Sequence, residues 1–139
     1  MTFKPLFAAA LIAALIAPVA QAGPLTIKFE NIKTQKGAIR LGVYDAAGYE
    51  SGKAVTGADV PVDAASVSVT LEGLAPGEYG IKLYHDVNGD GEMNANPFGM
   101  PTEPFAFSNN ARGQFGPAKW DAARFEVTAD GAVQVITFN

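Results

Sequence analysis

Apolar and polar residues alternate with a period of two along most of this chain, and stretches with helical spacing are scarce. Leu25, Ile27 and Phe29 interleave with Thr26, Lys28 and Glu30, and after a polar turn at residues 33–37 the same pattern returns at Ile39, Leu41 and Val43. Such alternation marks strands with one buried face, and two of them so close in sequence predict a β-hairpin. A glycine-rich connection at residues 48–57 leads to Val60 and Val62, where Pro61 confines the segment to a sheet edge or a bulge. Val67, Val69 and Leu71 predict a further strand. The segment Gly73-Leu74-Ala75-Pro76-Gly77 then reads as a turn, because proline presets φ and glycine supplies a positive one. Tyr79, Ile81 and Leu83 open a strand that runs into His85, and strands at residues 124–128 and 132–138 are joined by the tight-turn pair Asp130-Gly131. About seven short strands separated by turn signals predict an all-β chain folded as an antiparallel β-sandwich of Ig-like or transthyretin-like type.

Residues 86–121 break the alternation. They hold Phe98, Phe105, Phe107, Phe115 and Trp120, too apolar a set for a disordered tail, and Pro97, Pro101, Pro104 and Pro117, which forbid a continuous helix or central strand. A long ordered loop after the central strand, packing its own aromatic residues over one end of the sandwich, is the expectation.

The beginning of the chain has another character. Lys4 precedes an apolar run at residues 6–17, then Pro18 and the small-residue tripeptide Ala20-Gln21-Ala22, the order of parts in a secretory signal peptide cleaved before Gly23. The run is shorter than the ~20 apolar residues that cross a bilayer as a helix, so cleavage and not anchoring is expected. Residues 1–22 are thus read as a signal peptide and residues 23–139 as a single domain, periplasmic or extracellular. The domain carries nine basic and fourteen acidic residues, a net charge of −5. An acidic surface without a basic stripe argues against nucleic acid as a partner, and no integral membrane segment is expected after cleavage. The chain has no cysteine. Disulfides are therefore excluded, and its core or a bound ion must hold it together.

Candidate chemistry begins where the alternation stops, in Asp86-Val87-Asn88-Gly89-Asp90-Gly91-Glu92-Met93-Asn94. Side-chain oxygens at Asp86, Asn88 and Asp90, glycine at 91, the Glu92 carbonyl and the Asn94 oxygen follow the opening of an EF-hand-type calcium loop. Ca²⁺ takes about six to eight oxygens, and a chain bending round it offers alternate side chains without strain. The twelfth position, where a bidentate carboxylate closes the shell, is Pro97. Glu103 is the candidate to close it from further along, and an affinity of about 10⁻⁴ to 10⁻³ M is expected. The competing reading of the same residues is a plain tight turn, which also selects Asn, Asp and Gly.

His85, the sole histidine, cannot make an ordinary zinc site without cysteine or a second histidine. A strand-end histidine that holds the following loop by a hydrogen bond is the simpler expectation. Phe98, Phe105, Phe107, Asn109, Asn110 and Trp120 are read as the loop's own small core or, alternatively, as a binding surface for an envelope protein or a glycan.

Taken in order, His85-Asp86-x-Asn88-x-Asp90-Gly91-x-x-Asn94-x-Asn96, Phe98-Gly99-x-Pro101-x-Glu103, Phe107-Ser108-Asn109-Asn110 and Gly116-Pro117 resemble the bacterial exported family known as domain of unknown function 2141. The run Leu74-x-Pro76-Gly77-x-Tyr79 is also similar to the transthyretin-like and collagen-adhesin B-type sandwich modules of secreted proteins. The resemblance implies a secreted or periplasmic sandwich and supplies no catalytic residues. Two function classes follow: a non-catalytic exported module that binds calcium, a ligand or a partner through residues 86–121, or a hydrolytic enzyme using Asp86, Asp90 or Glu103 with His85.

Overall fold

The structure is a computed structural model that describes residues 21–139. The expected signal peptide lies outside the described residues, apart from Gln21 and Ala22. The period-two segments form strands: β1 (Leu25–Glu30), β2 (Ala38–Tyr44), β3 (Thr56–Pro61), β4 (Val67–Leu71), β5 (Gly77–Asp86), β6 (Phe105–Phe107), β7 (Phe125–Val127) and β8 (Ala132–Thr137). Two short helices, α1 (Ala46–Ser51) and α2 (Trp120–Ala123), and a 3-10 turn at Ser108–Asn110 complete the set. Two sheets face each other as an all-β sandwich. One has the order β4-β1-β8, the other β3-β2-β5-β6, with β7 also paired to β5. Leu25, Ile27, Phe29, Ile39, Val43, Ile81, Val127 and Ile136 meet between them, each fully buried. The alternation therefore did its physical work of placing one face of β1, β2 and β5 out of water.

Pairing differs from the sequence expectation in two places. β1 and β2 do not form a hairpin: β1 lies between β4, antiparallel, and β8, parallel, in the opposite sheet from β2. The link between them crosses the sandwich. Asn31 turns with a positive φ of 62°, Ile32 buries its side chain and donates its N–H to the Ala65 carbonyl, and Gly37 accepts from Val62 N–H. This crossing and the one between β3 and β4 thus satisfy each other's backbone, and no hairpin is needed. β7 and β8 separate likewise. The Asp130-Gly131 turn forms, with Thr128 bridged to Gly131, but β7 then serves β5 and β8 serves β1. Pro61 ends β3, which is an edge strand, as its lost N–H requires.

The glycine-rich connection contains α1. Asp45 caps it by accepting from Gly48 N–H at 2.7 Å, and Gly52, at φ 81°, terminates it in the left-handed conformation. α1 lays Tyr49 on the outer face of the five-stranded sheet. Its ring covers Gly80, stands 5.5 Å from the Trp120 ring, and its hydroxyl donates to the Ala118 carbonyl at 2.6 Å. Residues 86–121 extend that sheet at its edge with β6, then bring the 3-10 turn against β8 and contribute the start of α2.

Candidate functional site

β5 delivers its last two residues to opposite sides of the sheet, since successive strand side chains alternate. His85 points into the core. It is 1 % exposed, packs beside Phe138, and its Nε2 lies 2.7 Å from the Lys36 carbonyl, while its own N–H donates to Pro104 O. Asp86 points to the outer face, 0 % exposed, and β2 supplies its counter-charge there. The register sets Ala38 opposite Asp86 and Arg40 opposite Tyr84, so Arg40 reaches diagonally and donates from Nε to Asp86 Oδ2 at 2.7 Å. Its Nη1 turns away to Asp59 at 2.9 Å.

The chain after Asp86 folds back on this carboxylate. Gly91, at φ 78°, donates its N–H to Asp86 Oδ2 at 2.8 Å, and its carbonyl accepts from the Tyr84 hydroxyl. Asn88 Oδ1 accepts from Asp90 N–H at 3.3 Å, and Asp90 Oδ1 from Glu92 N–H at 3.0 Å, successive local turns that keep the oxygens on the inside of the bend. Both Asn88 and Asn94 donate their amides to Asp90 Oδ2, and Asn88 also donates to the Asn94 oxygen.

Glu103 joins the bend from the far side of a small, tightly braced turn. Asn94 accepts from Thr102, Ala95 bridges to Pro101, and Asn96 Oδ1 accepts from the N–H groups of both Phe98 and Met100. Pro97 lies within this turn, which restores Glu103 to the start of the loop. One Glu103 oxygen accepts from Val87 N–H at 2.7 Å and the other from Asn94 N–H at 3.1 Å. Asp86, Asp90 and Glu103 each present a carboxylate oxygen, all within 4.8 Å of one another.

Electrostatics leave the cluster short of positive charge. Of the three clustered carboxylates Arg40 pairs with Asp86 alone, and it also serves Asp59. The Arg40 hydrogen bond holds the Asp86 carboxyl below its ordinary value, against the opposing effect of burial, with the Gly91 and Gly89 amides assisting. Arg40 is held above its own usual value mainly by Asp86. Asp86 is thus ionised deep in the fold, yet its Oδ1 is buried and has no hydrogen-bond partner among the described residues. A buried carboxylate oxygen in that setting is costly unless a water or an ion completes it. The donor set is all oxygen, as a hard cation requires.

The other candidate surface residues separate. Phe98 stands at the tip of the braced turn, 89 % exposed, next to exposed Met100. Phe105 and Phe107 lie on the outer face of β6, the first half-exposed and the second buried, with their rings 6.0 Å apart. Asn109 and Asn110 spend their amides on the fold. Asn109 exchanges two bonds with Gln134 and donates to Ala122 O and Arg124 O; Asn110 accepts from Thr137 N–H and donates to Val135 O. Trp120 is half-buried against Tyr49. Sequence reasoning missed Arg40. Its only signal was a long cation at an outward position of β2, a place where charge is ordinary.

Fold and loop together define an all-β sandwich module with an oxygen-lined acidic bend at the end of its central strand. The chain belongs to the family described as "uncharacterized protein conserved in bacteria (DUF2141)", whose model matches residues 27–135. No curated protein and no solved structure matches it significantly. No helix among the described residues is long and apolar enough to cross a membrane.

Proposed function

We propose that this protein is an exported, non-catalytic sandwich module whose residues 86–103 bind calcium, and that the braced loop presents Phe98 and Met100 to a partner in the cell envelope, a protein or a glycan. The observation that carries the reading is the buried, unpartnered Oδ1 of Asp86 in a cluster that already holds Asp90 and Glu103. Those three residues would supply carboxylate oxygens. The Glu92 carbonyl and the Asn88 and Asn94 oxygens would follow, each amide turning over so that its oxygen replaces its NH₂. Export is supported by the leader-like order of charge, apolar run and small residues before Gly23. The non-catalytic reading is supported by His85, which lies across β5 from the carboxylates and is held by Lys36 O.

Thermal unfolding of residues 23–139 in calcium tests the proposal. With a dissociation constant of about 10⁻⁴ to 10⁻³ M, calcium at about 10 mM stabilises the native state by about 1.4–2.7 kcal/mol, a rise in melting temperature on the order of 5–10 °C. Asp90→Ala should abolish the rise, and so should excess chelator. A melting curve that does not move in calcium would remove the ion from the function.

A further inference from the structure

The outer face of the five-stranded sheet holds a second site, separate from the acidic bend. The register aligns Gly57, Gly42, Lys82 and Phe107 as one row across β3, β2, β5 and β6. Two adjoining positions of that row thus have no side chain, although glycine within a strand forfeits stability and packing. Gly57 is required by its own backbone, since a Cβ there would meet the Leu41 carbonyl at 2.6 Å. Gly42 is not. Its missing Cβ would stand 2.7–2.8 Å from the hydroxyl and ring of Tyr44, so the bare position lets that ring lie against the strand.

Beside that ring runs a cleft of about 470 Å³, within the range of small-molecule sites. Tyr44, Tyr84, Phe105 and Met93 line its sides, and Lys82 lies beside the glycines. Lys82 is half-buried, and its ammonium donates to the Tyr49 carbonyl at 2.6 Å and lies 4.2 Å and 5.1 Å from the Tyr49 and Tyr44 ring centres. None of the ion pairs among the described residues uses it. The neighbouring cation, Arg40, is already committed to Asp86 and Asp59. A lysine drawn in among aromatic rings without a counter-ion has donors left to give and a charge left to neutralise.

We infer that this cleft binds a small organic monocarboxylate with a flat apolar body: the body lies beside the Tyr44 ring between the aromatic walls, and the carboxylate meets Lys82. One available ammonium suits one negative charge. A polyanion would bring its excess charge toward Asp86 and Asp59. The inference does not depend on calcium, although the two sites share the Arg40 and Tyr84 side chains and the start of the loop.

Phenylacetate and its neutral counterpart phenylacetamide, titrated into ¹⁵N-labelled protein in the presence of chelator, provide the test. Phenylacetate is expected to shift the amide signals of Gly42, Gly57 and Lys82 saturably and to bind at least about tenfold more tightly than phenylacetamide. Lys82→Gln should bring the acid down to the level of the amide. The comparison of the two ligands on the unaltered protein stands even if a variant fails to fold. Glycine signals unmoved by phenylacetate, equal binding of acid and amide, or unchanged discrimination in Lys82→Gln would each overturn the inference.

Discussion

Ser108 closes a gap in the sandwich, and replacing it with alanine tests how the fold is held at that point. Along one flank β5 is paired to β7 at Gly77 to Tyr79 and to β6 at Lys82 to Tyr84, with no strand between. The Ser108 hydroxyl fills the interval: it accepts from Ile81 N–H at 2.9 Å and donates to the Ala123 carbonyl. Ser108, Ile81 and Ala123 are all 0 % exposed, so water cannot replace the hydroxyl without opening the core. Ser108→Ala therefore strands one buried donor and one buried acceptor, at about 1–3 kcal/mol each, and the expected loss is about 2–5 kcal/mol. With a urea dependence of about 1–3 kcal/mol per molar, the unfolding midpoint should fall on the order of 1–2 M with its slope unchanged. The Ile81 amide should also exchange with solvent faster than its neighbours in β5. A loss under about 1 kcal/mol, typical of an ordinary surface change, would show that the hydroxyl is not what joins β5 to α2.

Two further outcomes follow from the loop's attachment. Gly37→Ala should cost about 2 kcal/mol or more in urea unfolding and weaken any calcium-induced stabilisation, because Gly37 sits at φ 69° and a Cβ would lie 2.0 Å from the Asp86 carbonyl oxygen. Acid should destabilise the protein through Asp86. Its folded-state value is depressed, so its stabilising contribution is complete above the unfolded-chain range near pH 4 and is lost as pH falls through the lower folded value. Asp86→Asn should flatten the low-pH limb of a stability profile, and an unaltered limb would assign acid sensitivity elsewhere.

The strand interiors were legible because period-two burial is written residue by residue: Leu25, Ile27 and Phe29 are core in the pattern and in the fold. Their partners were not legible, because alternation states which face is wet and not which strand lies alongside. The parallel pairing of β1 with β8 joins residues more than a hundred positions apart, and no local signal encodes it. β6 spans three residues, too few to show a period, and α1 was masked by Gly48 inside it and Gly52 at its close. In the acidic bend the closeness of Asp86 to Asp90 was legible from their spacing. Arg40 was hidden because its partnership depends on the β2–β5 register.

The Asn110 clasp bears on how this chain avoids its own kind. β8 is the outer strand of the smaller sheet, and exposed Val133 and Val135 give it an apolar, sticky outer side. Such a border invites a neighbouring molecule to add a strand and start a fibre. The Asn110 carboxamide already occupies the rung between Val135 O and Thr137 N–H, as a one-residue counterfeit of a ninth strand. Polymerisation along that border must first evict it, and the motif that carries it guards solubility as well as shape.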